Sequence, residues 1–244
     1  PFYTAADIAR FRAETPEAQR AMRFDAAWEP LVTDRWLSAF DRDEHVKPLN
    51  WHRDPGANEI VVVGTDHGIQ PGKQASMLVA VENPGTERPT VAFVDEYCPD
   101  GYSTTDQNAE GVIAMLRRNG LAYGDVDVWI GDVPALGRKA VRRKANADMR
   151  RELARVAGIE FARTKWIETP NKYRSSHITG LEVMNALFAR GAAIVDTRCE
   201  KFATACERFR GRKDDPHKDI LDAGRYGMEA AVDGRSIVRM VARY

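Results

Sequence analysis

The sequence predicts an α/β domain: a mixed β-sheet in which an antiparallel three-strand meander is followed by parallel strands, with helices flanking both faces. Three observations point there. The run Ile60-Val61-Val62-Val63 is β-branched throughout and does not alternate with polar residues, the pattern of a strand buried on both faces in mid-sheet. Two further apolar runs follow it across short, turn-rich links, HGIQPGK and NPGTER, which makes the three strands antiparallel neighbours. Beyond them β-rich and helical segments alternate, which lays helices over a sheet.

Taken in order, residues 4–27 read as helical, with Thr4 as N-cap and a break near Thr15-Pro16 before a second helix through PEAQRAMRFDAAW. The next stretch, EPLVTDRWLSAFDRDEHVKPLNWHRDPGANE, is rich in Pro, Asp, Trp and His and has no sustained period, so it reads as an extended arm packed on the domain. Residues 1–58 thus form N-terminal helices and an arm, and residues 59–244 the main domain. Strands are expected at 60–65, 75–82 and 90–97, a helix at 104–119, a strand at 126–131 and a long basic helix at 138–157. GIEFART then reads as a strand, 175–190 as a helix with Gly180 inside it, AAIVDT as a strand, and 199–209 and 216–232 as the last two helices.

With 244 residues, 43% of them hydrophobic and 30% charged, the chain has the composition of a globular domain with one sizeable core. No apolar run approaches the roughly 18 residues of a membrane span and no signal peptide opens the chain, so the expected setting is cytoplasmic, with no membrane partner. The chain begins with proline and reads as a fragment or a processed product. Cys98, Cys199 and Cys206 are odd in number and form no CxxC pair, which argues for reduced thiols and against both a disulfide framework and structural zinc. Formal net charge is zero, but the charge is unevenly spread. Arg138, Lys139, Arg142, Arg143, Lys144, Arg150, Arg151 and Arg155 face only Asp148 and Glu152 in that segment, eight basic groups against two acidic ones, a local net of +6.

Aspartates stand where charge is expensive. Asp66 ends the Ile60 strand, a place where a carboxylate is costly to bury unless paired or bound to a cation, and Gly68 lets the backbone pass close to a ligand. VDVWIGDVPA repeats the logic: a β-rich run ends at Gly131-Asp132 ahead of a proline turn, although aspartate is also a favoured turn residue. In DDPHKDILDAGRYGMEAA the acids from Asp214 to Asp219 suit the N-terminus of a helix. Asp222 is different, because it falls in an apolar stripe with Ile220, Leu221, Ala223 and Met228. Asp219 and Asp222 share a helix face, with Arg225 and Tyr226 a turn further on, and the small Ala223 and Gly224 let that helix lie close to the sheet. HGIQPGKQ fails as a phosphate loop, which would need glycine at His67 and Ser or Thr at Gln74. Trp129 and Trp166 read as core residues, and His67 and His217 as neighbours of the acids, not direct ligands.

The set VGTDHG, WIGD and DILDAGRYG resembles the nuclease domain of the large terminase subunit of tailed bacteriophages, a member of the RNase H-like (retroviral integrase-type) superfamily. The segments RGAAIVDTRCEKFATACERF and FDAAWEPLVTDRWLSAFDRDEHV resemble the family's approach to its last acidic helix and its linker after a packaging ATPase, so the likeness spans most of the chain. The resemblance implies an RNase H-like fold and a metal-dependent endonuclease that cuts double-stranded DNA during viral genome packaging, in the cytoplasm of an infected host, leaving 5′-phosphate and 3′-hydroxyl ends. It implies catalytic residues Asp66, Asp132 and Asp222, with Asp219 as a fourth metal ligand. The full-length protein would add an ATPase domain, a small terminase subunit and a portal as partners. Two departures stand out: His67 follows the first aspartate, and the ATPase half is missing.

The chemistry of the residues agrees with that implication. Hydrolysis of a phosphodiester by two divalent ions asks for clustered oxygen ligands, and aspartates suit Mg²⁺ or Mn²⁺. Arg138, Lys139, Arg142, Arg143 and Lys144, just after Asp132, would bind the DNA phosphates that carboxylates repel. Without the ions, three or four carboxylates crowded at one sheet edge are expected to repel one another. A junction resolvase of the same superfamily and a non-catalytic nucleic-acid-binding relative remain alternatives.

Overall fold

A computed structural model describes residues 35–54, 56–67, 74–131, 139–163, 166–168, 176–211 and 215–232. Strand β2 (Glu59–Asp66) runs antiparallel to β3 (Ala75–Glu82), in register from Glu59 opposite Glu82 to Asp66 opposite Ala75. Strand β4 (Thr90–Tyr97) continues the meander, with a bulge where the register shifts between Leu78 and Val79. On the other side of β2 lie β5 (Val128–Gly131) and then β6 (Ile167–Glu168), both parallel to their neighbours. Strand β7 (Ala193–Asp196) pairs parallel with β4, and β1 (Val46–Lys47) with β7. The order is β1-β7-β4-β3-β2-β5-β6, a mixed seven-stranded sheet with β2 inside it.

The unbroken apolar run of β2 follows from this position. Val61 and Val63 face a core shared with helices α2 (Thr105–Arg118) and α3 (Lys139–Ala157), through Met115, Leu116, Met149 and Leu153. Val62 faces the opposite core, built with α4 (Ser176–Ala189), α5 (Glu200–Arg208) and α6 (Lys218–Val232) from Phe188, Phe202, Leu221 and Met228. Both faces of the strand are thus buried, and no polar position interrupts it.

Two expectations are corrected. GIEFART is not a strand: Gly158, at φ +69, closes α3, and the chain turns through a single 3₁₀ turn at Phe161–Arg163 before β6 begins at Ile167. Glu160, Phe161, Ala162 and Arg163 are all exposed, so no sheet face is available to bury this run. The described part of the arm is not wholly extended either. A one-turn helix, α1 (Arg42–His45), is capped by Asp41, whose side chain accepts a hydrogen bond from the Asp43 amide at 2.9 Å, and β1 follows at once. Leu37 and Phe40 are fully buried in the α6-side core, and His45 Nε2 lies 3.0 Å from the Phe188 carbonyl oxygen. The helices expected at residues 4–27 lie outside the described residues.

Candidate active site

Gly64 is what lets the last helix reach the sheet. A Cβ there would collide with the Ala223 carbonyl oxygen and with the backbone of Gly227, so α6 lies on β2 backbone to backbone. Gly227 in turn sits on Val79 of β3, whereas Gly224 makes room for the Phe202 ring of α5. This close approach brings the first turns of α6 toward the C-terminal end of β2. Asp66, the last residue of that strand, is 7% exposed, and Asp222 is 1% exposed.

A lysine stands among the acids. Lys218, the first residue of α6, places its Nζ 2.6 Å from Asp222 Oδ2. Burial opposes its charge, yet Asp222, and behind it Asp66 and Asp219, raise the Lys218 ammonium above the ordinary lysine value. Lys218 is thus in contact with Asp222 and within electrostatic reach of Asp66 and Asp219. The other oxygen of Asp222, Oδ1, accepts from Arg225 Nε at 3.1 Å. Arg225 is 4% exposed, donates to Glu229 Oε2 at 3.0 Å, and lies 4.5 Å from the Tyr226 ring centroid. Asp222 is thus paired within the fold with Lys218 and Arg225, which offsets at that residue the repulsion expected among the carboxylates.

A further acid lies two strands away from β2 in the sheet. Glu96, near the end of β4, accepts hydrogen bonds from the Lys201 and Phe202 amides at 2.8 Å each, so it caps the N-terminus of α5. Burial pushes its carboxyl up to about 7 against those bonds. Cys98, two residues on, feels the charge of Asp219, and burial pushes its thiol up to about 11, so it offers no thiolate at neutral pH. Among the described residues Cys98, Cys199 and Cys206 form no disulfide with one another.

Of the residues singled out in the sequence, Asp66 ends β2, and Asp219 and Asp222 lie on α6, the helix that crosses β2 at Gly64. Asp132 lies outside the described residues; β5 ends beside β2, with Gly131 opposite Thr65. Arg138 also lies outside them, while Lys139, Arg142, Arg143 and Lys144 fall on the first half of α3. Trp129 is core, stacked on Tyr123 at 4.5 Å, and His67 stacks on Trp166 at 5.7 Å over the end of β5, where a side chain on Gly131 would meet that indole. His217 donates its backbone amide to Asp215 Oδ1. Lys218 and Glu96 were missed. The four-residue spacing from Lys218 to Asp222 is a legible helical ion-pair signal, whereas nothing near Glu96 in sequence points to α5.

Among the described residues no three Asp, Glu, His or Cys side chains form a ready-made cage for an ion. Asp222 Oδ2 has the Lys218 ammonium 2.6 Å away. Among the same residues no helix is long and apolar enough to cross a membrane.

No family model and no curated protein matches the chain. Solved structures do. The nuclease domain of the P22 large terminase aligns with a TM-score of 0.52 at 17% identity, over 83% of this chain and 96% of that one. The large terminase nuclease of thermophilic phage G20c with bound magnesium aligns at 0.50 and 16%, over 81% and 97%. A large terminase of a thermophilic bacteriophage in complex with ATP-gamma-S aligns at 0.52 and 15%, over 95% of this chain and 53% of that one. The chain therefore has the fold of large terminase nuclease domains and spans about half the length of the longer large terminases it matches.

Proposed function

We propose that this chain is a divalent-metal-dependent endonuclease that cuts double-stranded DNA during viral genome packaging, the nuclease module of a terminase large subunit. The observation that carries the reading is the backbone-to-backbone packing of α6, which bears Asp219 and Asp222, on β2, the strand that Asp66 ends, in a fold shared with terminase nucleases. Asp66 and Asp222 would hold Mg²⁺ or Mn²⁺, with Asp219 and Asp132 completing a two-ion site. Bound there, the ions would activate a water for attack on phosphorus and stabilise the departing 3′ oxygen.

The chain's own residues do the positioning. Asp66 is fixed by a strand paired on both sides. Asp222 is held by Arg225, whose guanidinium is buried and clamped by Glu229 and Tyr226, so the carboxylate keeps its direction. Arg138, Lys139, Arg142, Arg143 and Lys144 would bind DNA through phosphates and carry no sequence preference. The partners of a full-length protein would be an ATPase domain, a small terminase subunit and a portal.

The test is plasmid cleavage by the isolated chain. Nicking or linearisation should occur with Mg²⁺ or Mn²⁺, need no ATP, stop in EDTA and be abolished by Asp66→Asn. Cutting that persists in chelator, or in the Asp66→Asn protein, would overturn the assignment.

A further inference from the structure

Lys218 has no task in the mechanism just described, yet it lies closer to Asp222 than Arg225 does. Its Nζ is 2.6 Å from Oδ2, and the side chains of the pair are 29% and 2% exposed. Arg225, on the other oxygen, is 5% exposed in its side chain and anchored by Glu229. The two cations therefore differ in freedom. Arg225 is locked in place, while Lys218 has a flexible four-carbon stem at the start of the helix and an open route to solvent.

Resting on the reading of this site as a divalent-metal centre, we infer that the Lys218 ammonium is a built-in counter-ion: it occupies the cation's place on Asp222, and an incoming metal ion must displace it. A buried carboxylate without a cation is costly, and in the metal-free chain Lys218 and Arg225 offset that cost at Asp222. A divalent ion and an ammonium on the same oxygen repel, and the less anchored of the two leaves. The consequence is a site that needs more metal than its carboxylates alone would require, and that stays folded without it.

The experiment is titration of Mn²⁺ into the full chain, followed by calorimetry, for wild type, Lys218→Met and Lys218→Arg. Lys218→Met should bind Mn²⁺ about tenfold more tightly than wild type, and Lys218→Arg several-fold more weakly, because a guanidinium holds a carboxylate through two bonds. The metal-free melting temperature of Lys218→Met should fall below wild type, and saturating Mn²⁺ should close the gap. Unchanged or weaker affinity in a folded Lys218→Met protein overturns the inference while leaving the metal site standing. If that variant does not fold, Lys218→Arg decides, and affinity equal to wild type overturns it. Absence of Mn²⁺ binding in every variant and in wild type sinks the metal-centre reading itself, and the inference with it.

Discussion

Replacing Gly64 with alanine tests the contact that sets the site. The new methyl would point into α6, where its first obstacles are the Ala223 carbonyl oxygen and the Gly227 amide nitrogen. Neither is a side chain that can rotate away, and Gly227 is itself pressed on Val79, so the helix must lift from the sheet. Overpacking a core costs about 1–3 kcal/mol, and obstacles made of backbone put this case at the upper end. Alanine recovers roughly 0.5–1 kcal/mol over glycine in a strand, leaving a net loss of about 2 kcal/mol. In a chain of this size that lowers the melting temperature by about 4–8 °C. A lift of even 1 Å moves Asp222 away from Asp66, and misplacement on that scale costs on the order of 100-fold in rate. Gly124→Ala is the control, because a Cβ there meets nothing within 4 Å and stability should stay within about 0.5 kcal/mol. Circular-dichroism melts and plasmid cleavage on both variants decide the matter. A Gly64→Ala protein that melts with wild type and cuts at its rate would refute the close packing of α6 on β2.

Three further outcomes are expected. In EDTA, Asp222→Asn should cost about 2–4 kcal/mol in urea denaturation, because Lys218 and Arg225 lose their shared partner, while Asp66→Asn should cost about 1 kcal/mol or less; equal losses would contradict the charge arrangement. Glu96, with its carboxyl at about 7 in the fold against the ordinary 4.5, takes up a proton on folding between those values, so its contribution to stability is lost as pH rises through that window. Wild type should therefore lose up to about 3 kcal/mol relative to Glu96→Gln between pH 4 and pH 8, and parallel stability curves would rule this out. Replacing Arg142 and Arg143 together with alanine should weaken DNA binding alike across sequences and flatten the slope of log K against log salt by about 2; an unchanged slope would make this stretch of α3 a solvated face.

How much was legible depends on where each residue sits. Strands 75–82 and 90–97 match the structure residue for residue, because long apolar runs with turn residues at both ends leave little freedom. The two-residue strands β1 and β6 were missed, since so short a segment carries no period and exists only through its neighbour in the sheet. GIEFART has strand composition, but the left-handed Gly158 turns it away from the sheet. Asp66 was conspicuous as a charge at the end of a buried strand, and Asp222 as a carboxylate in an apolar stripe. Lys218 was passed over because the residues from Asp214 to Asp219 look like an ordinary charged helix start, although its four-residue spacing to Asp222 carried the pairing. Glu96 is out of reach in another way: its partners, the Lys201 and Phe202 amides, lie more than a hundred residues along the chain.

The central claim is that Asp66 and Asp222 hold a divalent ion where α6 crosses β2, and anomalous diffraction from a crystal soaked in Mn²⁺ tests it most directly. The account predicts an anomalous peak with oxygens of both carboxylates about 2.0–2.2 Å away, and Lys218 Nζ withdrawn from Asp222 Oδ2. A soaked crystal with no peak at this place, with the two carboxylates pointing apart, would contradict it.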